Sequence, residues 1–373
     1  MPATSDRELI ETWQDEPAPL LPLLHAFHDR DGYLAEDSIR AVSKGLKIPL
    51  AELYTTVSFY HHLSTEPGGR DKPRVCMGPV CCLRDGATIL AELGEGATAM
   101  PCPGRCDEPV AVLRGEEVLL GLSVGELESA PSPLPAANPG GLQECVFGSI
   151  REPGRSTLDG YIDTNGYQAL RKTTQEMSQE ELIEEISDSG LAGRGGAGFP
   201  TGRKWKAVAE APGAPKTIVC NADEGEPGCF KDRTLMDYDP HAVIEGMLAA
   251  GFATGATRGF IYLRYEYPET QNILERAIEE AQAEGLLGSE AFGPGRSFDL
   301  WVRRGAGAYI CGEETSLLNS LEGKHPFPRN RPPFPVTHGY ENLPTVVNNV
   351  ETLASIPHIL SKGPDWYRNL AIG

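Results

Sequence analysis

The sequence lacks an uninterrupted hydrophobic run of the length that a membrane span requires. The best candidate, residues 243–263, is interrupted by Glu245, by Arg258 and by several glycines, whereas a spanning helix needs about 20 mostly apolar residues. The N-terminus also lacks a basic region followed by an apolar stretch, so we predict no secretory signal. Together these absences predict a cytoplasmic protein.

Positive charge is scarce, and the cysteine count does not suit a disulfide framework. Lys and Arg number 33 against 53 Asp and Glu, a formal net charge of −20, and nucleic-acid binding needs the opposite sign.

The nine cysteines are an odd number in a chain without an export signal, so disulfide bonds are not expected. Metal ligation and simple burial remain as explanations for the thiols.

Four regions are predicted along the 373 residues. Residues 1–72 have helical spacing of apolar side chains, and residues 73–128 follow the order strand, helix, hairpin, which predicts a small α/β domain. Residues 129–141 carry four prolines and are predicted to be a linker. In residues 142–373 strands and helices alternate, which predicts an α/β fold with a mostly parallel sheet covered on both faces.

The predicted elements also locate a site. In the small domain we expect a strand at 74–77, a helix at 83–93 and hairpin strands at 110–113 and 118–120. In the large region we expect strands at 217–220, 259–263 and 298–302, with helices at 241–253, 269–284 and 313–321. Ligands of parallel sheets bind beyond the carboxyl ends of the strands. Residues 221–228, directly after the first of these strands, are therefore predicted to line a ligand site.

Four cysteines form two closely spaced pairs. Cys76 and Cys81 are separated by four residues, Cys102 and Cys106 by three, and each pair lies in a turn rich in glycine and proline. Backbone N–H groups in such turns can donate to thiolate sulfur. The spacing suits a 2Fe–2S cluster or a zinc ion, and unligated buried thiols are a third explanation. Cys82 adjoins Cys81 and is an alternative ligand at that position.

A glycine-rich segment with neighbouring cations predicts an anion site. Residues 193–198 read Gly-Arg-Gly-Gly-Ala-Gly, so backbone N–H groups can close on a phosphate. Arg194, Arg203 and Lys204 place positive charge beside them. A predicted helix, not a strand, precedes the segment, so the ordinary dinucleotide fingerprint does not apply. A flexible turn is the alternative interpretation.

An acidic loop follows the first predicted strand of the large region. Asp223, Glu224 and Glu226 lie within four residues of one another. Carboxylates that accept from polyol hydroxyls, close to phosphate donors, suit a nucleotide or a flavin. A solvated loop and a site for a hard metal ion are alternatives. Glu313 and Glu314 have a separate explanation, because acids in the first turn of a helix complement its dipole.

Four motifs resemble a known family. Residues 193–205, 221–233, 305–320 and 346–353 are similar to the flavoprotein subunit of respiratory NADH:quinone oxidoreductase, the 51 kDa family, which also serves NAD-linked formate dehydrogenases and NAD-reducing hydrogenases. Residues 18–128 resemble the 24 kDa-type partner subunit, a thioredoxin-like 2Fe–2S protein. The resemblance implies a fusion in which a helical segment and a thioredoxin-like domain precede a Rossmann-like FMN-binding domain.

The resemblance implies a role for each matching residue. The residues that match FMN-binding positions are Gly193, Arg194, Gly195, Gly196, Lys204, Asn221, Asp223, Glu224, Gly312, Glu313, Glu314, Asn348 and Asn349. Those that match the NADH side are Phe199, Lys204, Glu226, Tyr309 and Phe334. Those that match the ligands of the 2Fe–2S cluster are Cys76, Cys81, Cys102 and Cys106, and this match favours iron–sulfur over zinc.

The sequence departs from the family pattern in several places. Only 20 residues separate Cys81 from Cys102, Pro103 stands where leucine is common, and Ala207 stands where some members have a larger side chain. The family continues into a part with a 4Fe–4S motif, Cys-Gly-x-Cys-x-Pro-Cys-Arg, which does not occur here. A 4Fe–4S cluster is therefore expected only from a further C-terminal part or from a partner.

The implied function is that of an NADH dehydrogenase, or diaphorase, module. Hydride passes from NADH to FMN and single electrons then pass to iron–sulfur, without a side-chain acid or base. Expected partners are other subunits of a complex of the quinone oxidoreductase, formate dehydrogenase or hydrogenase type, which would make the protein peripheral to the inner membrane. We expect no nucleic acid and no direct membrane insertion. The alternatives are a truncated, non-catalytic electron-transfer or assembly component and a zinc-stabilised nucleotide-binding adaptor.

Overall fold

Helices and two separate sheets make up the computed structural model, which describes residues 4–137 and 143–370. Its α-helices are α1 (Asp6–Trp13), α2 (Leu20–Asp31), α3 (Glu36–Leu46), α4 (Leu50–Phe59), α5 (Pro79–Cys82), α6 (Gly86–Leu93), α7 (Leu158–Asp163), α8 (Gln168–Glu176), α9 (Gln179–Asp188), α10 (Thr201–Glu210), α11 (Lys231–Tyr238), α12 (Pro240–Thr254), α13 (Pro268–Ala283), α14 (Glu314–Leu321), α15 (Pro335–His338), α16 (Val350–Lys362) and α17 (Pro364–Leu370). Its strands are β1 (Arg74–Cys76), β2 (Thr98–Met100), β3 (Ala111–Arg114), β4 (Glu117–Leu120), β5 (Glu128–Ser129), β6 (Thr217–Ala222), β7 (Arg258–Leu263), β8 (Asp299–Arg304) and β9 (Thr345–Asn349).

The larger sheet is entirely parallel, with the strand order β8-β7-β6-β9. Three of its strands were predicted from sequence, and β9 was not. Because β7 and β8 extend the sheet to one side of β6 while β9 lies on the other, the strand order reverses between β6 and β9. Such a switch point opens a crevice at the carboxyl ends of the two strands.

Different helices cover the two faces of this sheet. Ile218 and Ile261 pack on one face with side chains from α9, α10, α12, α13 and α16. Val219 and Phe260 point to the opposite face and pack with α14 and with the N-terminal helices α2, α3 and α4. The predicted α/β class, with a parallel sheet covered on both faces, is confirmed. The N-terminal helices supply one of those covers.

The smaller sheet has the order β2-β1-β3-β4-β5, in which only the β1–β2 pair is parallel. The predicted hairpin is confirmed as β3 and β4. The single helix predicted at 83–93 is wrong at its start, because Asp85 has a left-handed backbone (φ 60°) that separates α5 from α6. Strands β2 and β5, of three and two residues, were not predicted.

The segment predicted as a linker begins one residue too early, because Ser129 belongs to β5; residues 130–137 contain no helix or strand. The segment is nevertheless attached to the large domain, the part of the chain after residue 142 that carries the four-stranded sheet. Arg151 donates from Nε to the Pro135 carbonyl (3.0 Å) and from Nη2 to the Ala136 carbonyl (2.9 Å), and Tyr238 donates to the Ser132 carbonyl. Residues 138–141 of the predicted linker lie outside the described residues. Among the described helices, none combines the length and apolarity needed to cross a bilayer.

Candidate functional site

Two asparagines mark the crevice at the switch point. Asn221 and Asn349 are the paired residues at the carboxyl ends of β6 and β9. Both line two adjoining cavities, the first of about 520 Å³ and the second of about 610 Å³. The cavities share a wall formed by Gly195, Asn221, Gly312, Glu313 and Asn349. The site therefore lies where the parallel-sheet rule predicts it.

The structure brings together the residues predicted for FMN and NADH. The shared wall contains five of them. Those that line only the first cavity are Arg194, Gly196, Asp223, Glu224, Glu226 and Tyr309. Those that line only the second cavity are Gly193, Phe199, Lys204, Glu314, Phe334 and Asn348. The residues predicted for NADH are divided between the two cavities, so their roles, like those of the FMN set, stay predictions.

The glycine-rich segment forms a closed loop at the edge of the crevice. An antiparallel bridge between Ala192 and Pro200 closes it, and Gly193 donates to the Phe199 carbonyl (2.9 Å). Gly196 and Gly198 have φ of 108° and 63°, which favour glycine. In the described part of the chain the amides of 195–198 have no protein acceptor. These amides are free to bind an anion such as a phosphate.

Two of the three cations predicted beside this loop are already paired with carboxylates, whereas the third, Arg203, lies over the Phe199 ring at 5.8 Å from its centroid. Lys204 donates from Nζ to Glu314 Oε2 (3.2 Å) and to the Val347 carbonyl (3.0 Å). Arg194 donates from Nε to Glu351 Oε1 (2.9 Å). A phosphate at the loop would therefore compete with these carboxylates for Lys204 and Arg194. The loop amides, which have no acceptor among the described residues, are the donors open to it.

Sequence reasoning missed two cations at the site. Arg331 lines the second cavity and donates to Glu313 and Glu314, each at 2.8 Å. Lys231 lines the first cavity and forms ion pairs with Asp232 (2.6 Å) and with Glu351 (2.9 Å). Lys231 lay inside a motif segment that was singled out for its acids. Arg331 lay in a stretch of prolines that gave no signal of its own.

Glu224 caps a helix. Its carboxylate accepts from the backbone N–H groups of Asp232 (3.0 Å) and Arg233 (3.2 Å), which open α11, and from the Cys229 thiol (3.1 Å). A negative charge is favourable at a helix N-terminus. Glu224 is 7% exposed, so its carboxylate is chiefly committed to the fold.

Glu313 caps α14 in the same way. Its Oε2 accepts from the backbone N–H groups of Thr315 and Ser316, each at 2.9 Å. The helix-dipole explanation considered for this acid is therefore present in the structure. Because Glu313 also pairs with Arg331, a ligand in the shared wall would meet a carboxylate that is already neutralised.

Asp223 is the acid with an unused oxygen. Its Oδ2 is buried and has no hydrogen-bond partner among the described residues. Burial raises the pKa of Asp223 to about 7, and the nearby charge of Arg264 offsets part of that rise. A Cβ at Gly312 would lie 3.3 Å from the Asp223 carbonyl, so glycine keeps the space beside this residue open. An unsatisfied oxygen of this kind fits a hydroxyl-bearing ligand.

Exposed aromatic rings surround the cavity mouths. Phe199, Tyr309 and Phe334 are 47%, 68% and 53% exposed. The Tyr309 hydroxyl donates to Glu226 Oε2 (2.7 Å). A Cβ on Gly225 would lie 2.8 Å from the Tyr309 ring, so only glycine fits beneath it. Exposed rings at the entrance of a polar cavity suit a planar heterocycle, on which they can stack.

The four predicted cysteine ligands converge because of strand pairing. Strands β1 and β2 are parallel neighbours in which Cys76 is opposite Met100. The segments that follow them carry Cys81 and Cys102, and these segments consequently lie side by side. Cys102 and Cys106 approach each other to 3.2 Å between Sγ atoms.

The turns around these cysteines suit thiolate ligands. The N–H of Gly78 donates to Cys76 Sγ (3.3 Å) and that of Gly104 to Cys102 Sγ (3.4 Å), as expected for turns that stabilise cluster sulfur. A Cβ at Gly78 would lie 3.0 Å from Cys102 Cβ, so glycine allows the two turns to meet. Among the described residues no group of three or more His, Cys, Asp or Glu side chains has the geometry of a metal site, so the fit of the four cysteines to a cluster rests on their spacing, on the burial of Cys76, Cys81 and Cys102, and on the N–H donors of their turns.

Cys82, the alternative ligand, is exposed, and its thiol donates to the Met77 carbonyl (3.3 Å). Cys81 is buried beside the other three cysteines. The structure therefore favours Cys81 at this position. The four cysteines fit a two-iron cluster bound by two pairs of thiolates.

The cysteine turn and the cavities are in contact. Gly228 belongs to the acidic loop after β6 and donates its N–H to Cys106 Sγ (3.2 Å). Its neighbours Glu226 and Cys229 line the first cavity. A ligand in that cavity would therefore be separated from the cysteine site by one loop.

A parallel sheet with ligand cavities at its switch point, joined to a small domain with paired cysteines, has the architecture of a two-site redox protein with a nucleotide or flavin site. Comparison with known families agrees. Residues 186–358 match the Nuo51 FMN-binding domain, and residues 7–103 match the thioredoxin-like 2Fe-2S ferredoxin family. The chain thus matches both domain families in separate segments, and the resemblance found in its motifs is confirmed.

Individual relatives match one or both domains. The F subunit of NADH-quinone oxidoreductase from Aquifex aeolicus is 52% identical over 218 residues, 58% of this chain and 51% of the relative. NAD-reducing hydrogenase HoxS subunit alpha of Cupriavidus necator is 35% identical over 389 aligned positions, 96% of this chain and 64% of the relative. A crystal structure of an NAD+-reducing NiFe hydrogenase in the air-oxidised state superimposes with a TM-score of 0.76 at 29% identity, covering 95% of this chain and 63% of that one. The chain thus spans between half and two thirds of the length of these relatives.

Proposed function

We propose that this chain is an NADH dehydrogenase (diaphorase) module that binds FMN in the crevice between β6 and β9 and a 2Fe–2S cluster at the two cysteine pairs. The observation that carries the proposal is the convergence of four separate motif segments on two adjoining cavities, one loop away from Cys106. The expected partners are other subunits of an NADH-linked complex, of the quinone oxidoreductase, formate dehydrogenase or hydrogenase type. The expected location is the cytoplasm, peripheral to the inner membrane through those partners.

The residues of the crevice would bind FMN and NADH and orient them. The free amides of 195–198 would hold the flavin phosphate. Asp223 would accept from the hydroxyls of the polyol chain, and the Asn221 amide could accept from them or donate to them. Phe199 and Phe334 would stack on the bases of NADH, and Glu226 and Tyr309 would form hydrogen bonds with its hydroxyls. FMN, when bound, supplies an acceptor that takes two electrons as hydride and returns them singly. The chain contributes orientation and electrostatics, and we assign it no acid or base.

The cysteine turns have a complementary role. Cys76, Cys81, Cys102 and Cys106 would ligate iron, and the N–H groups of Gly78, Gly104 and Gly228 would stabilise the thiolate sulfurs. The cluster, when present, is a one-electron acceptor. A 4Fe–4S cluster would belong to a further part of the protein or to a partner subunit.

Cofactor analysis of the purified chain tests this function. We expect about one FMN and two iron atoms per chain, with NADH:ferricyanide activity. Iron without flavin would instead favour the non-catalytic electron-transfer component. Zinc without iron would favour the nucleotide-binding adaptor. Either result would overturn the proposal.

A further inference from the structure

A buried guanidinium joins the cysteine turn to the flavin crevice. Arg264 follows β7 at the same edge of the sheet as the crevice and is 5% exposed. It donates from Nη2 to the Cys102 carbonyl (2.7 Å) and from Nη1 to the Glu224 carbonyl. Cys102 begins the second cysteine pair, and Glu224 lies in the loop that lines the first cavity. One side chain therefore holds the backbone of both sites.

The charge of Arg264 is paired locally. Its Nε and Nη2 donate to the two carboxylate oxygens of Glu266 at 3.1 and 2.8 Å. Both side chains are buried. A buried ion pair gives little net stability, because desolvation of the two charges offsets their attraction, and an apolar pair of similar volume often replaces it without loss. Stability alone therefore does not account for an arginine at this position.

A second contact ties the other end of the cysteine turn to the same loop. The Gly228 N–H donates to Cys106 Sγ at 3.2 Å. The turn Cys102–Cys106 is thus held at its first residue by Arg264 and at its last by Gly228. The loop that carries Glu224 and Gly228 is common to both attachments.

We propose that Arg264 is a positioning residue for electron transfer between flavin and cluster. It fixes the second cysteine turn against the crevice, and its cationic charge favours the reduced, more negative form of the cluster. This inference rests on the proposed function for its electrostatic part. Its structural part concerns the chain without cofactors and can be tested separately.

The electrostatic part is tested by the midpoint potential of the cluster, measured by redox titration monitored by EPR, in the loaded protein. Arg264→Met removes the positive charge and leaves Glu266 unpaired, so we expect a lower potential in protein with cluster and flavin both bound. Arg264→Met combined with Glu266→Gln removes both charges and should restore much of the potential. Arg264→Lys keeps the charge and should lie closest to the parent protein.

Arg155→Met is the matched control, because Arg155 is also buried and paired, with Asp239 at 3.0 Å, but does not contact the cysteine turns. We expect it to lower stability without moving the potential. An unchanged potential in Arg264→Met, with cluster and flavin both bound, would overturn the electrostatic part. A shift of equal size in Arg155→Met would do the same, since it would show a general effect of lost stability.

Hydrogen exchange of the chain without cofactors tests the structural part and stands even if the proposed function fails. In Arg264→Met we expect exchange of residues 102–107 to be about tenfold faster than in the parent, because one attachment of the turn is lost. In Arg155→Met the same segment should be unchanged. Equal exchange in the parent and in Arg264→Met would overturn the assignment of Arg264 as a positioning residue.

Discussion

The two cysteine pairs differ in what holds them. The first pair, Cys76 and Cys81, lies in turns of the small domain, and the hydrogen bond to Cys76 Sγ comes from Gly78 of the same turn. The second pair, Cys102 and Cys106, receives contacts from the large domain, through Arg264 and Gly228. Both pairs have similar spacing in the sequence, so spacing does not distinguish them. The difference identifies the second pair as the side of the cysteine site that contacts the crevice loop.

Side chains that flank the second pair strengthen this asymmetry. Arg233 of α11 forms an ion pair with Asp107 at 2.5 Å. Arg105, inside the turn, pairs with Glu269 of α13 at 3.3 Å. The turn is thus attached to the large domain by charged groups on both sides of Cys106.

The largest predicted effect concerns loss of a ligand. Cys76→Ser and Cys106→Ser should each lower the iron content of the purified protein at least about tenfold, because a hydroxyl is a poor cluster ligand. FMN content should stay within about twofold of the parent in both. Only Cys106→Ser should also speed hydrogen exchange in residues 224–230, since the shorter serine side chain withdraws the acceptor from the Gly228 N–H. Equal exchange in the two variants would remove the proposed asymmetry.

The next effect concerns the close packing of the second turn. Gly104 has φ 75°, and a Cβ there would overlap the Tyr267 hydroxyl. Gly32 also has φ 75° in a left-handed conformation with nothing within 4 Å of a Cβ, so Gly32→Ala is a control with the same φ. Gly32→Ala should cost about 1 kcal/mol in the free energy of unfolding, and Gly104→Ala about 2 kcal/mol more because of overpacking.

Denaturant titration of both glycine variants measures this difference. An equal loss in the free energy of unfolding in the two variants would show that the second turn can move away from Tyr267 without cost. In that case the turn would be loosely attached, and the contrast with the first pair would be weaker than the hydrogen bonds suggest.

A moderate effect is expected on nucleotide kinetics. Glu226 is exposed at the first cavity and accepts from Tyr309. Glu226→Ala should raise the KM for NADH by at least about tenfold, because one hydrogen bond to a charged group is lost, and should leave flavin bound. Glu279→Ala, an exposed acid on α13, is the control and should change neither. Loss of flavin from Glu226→Ala would instead place this residue on the FMN side.

A further effect is a pH dependence of stability in the chain without cofactors. Burial raises the pKa of Asp223 to about 7, whereas the pKa in the unfolded chain is about 3.9. Between these values the folded chain keeps a proton that the unfolded chain has released. The free energy of unfolding therefore falls as pH rises from about 4 to about 7. Asp223→Asn abolishes that contribution.

Urea titrations at pH 5 and pH 8 measure the Asp223 contribution. The free energy of unfolding of Asp223→Asn, taken relative to that of the parent, should be higher at pH 8 than at pH 5. Asp188→Asn, an exposed position at the end of α9, should show no such change. The same difference from the parent at both pH values would mean that Asp223 ionises freely in the fold.

Local patterns were sufficient to predict much of this molecule. The apolar runs of β6, β7 and β8 are local signals, and each strand is present in the structure. The paired spacing of the cysteines likewise predicted where the thiols meet. The glycine loop and the acidic loop converge because both adjoin the switch point between β6 and β9.

The remaining features depend on contacts between distant segments. The apolar faces of α2 and α4 predicted burial, but not that they would pack on Val219 and Phe260. The contact from Gly228 to Cys106 spans 122 residues. The three residues of β2 and the break at Asp85 are set by sheet pairing and backbone conformation rather than by any periodic pattern. No local signal carried this information.

Hydrogen exchange of the chain with and without FMN tests the central claim, that the flavin crevice and the second cysteine turn share one loop. We predict that FMN slows exchange in residues 193–199 and 221–229, and that residues 102–107 of the small domain are slowed as well. Protection confined to other segments, with 221–229 unaffected, would contradict the account.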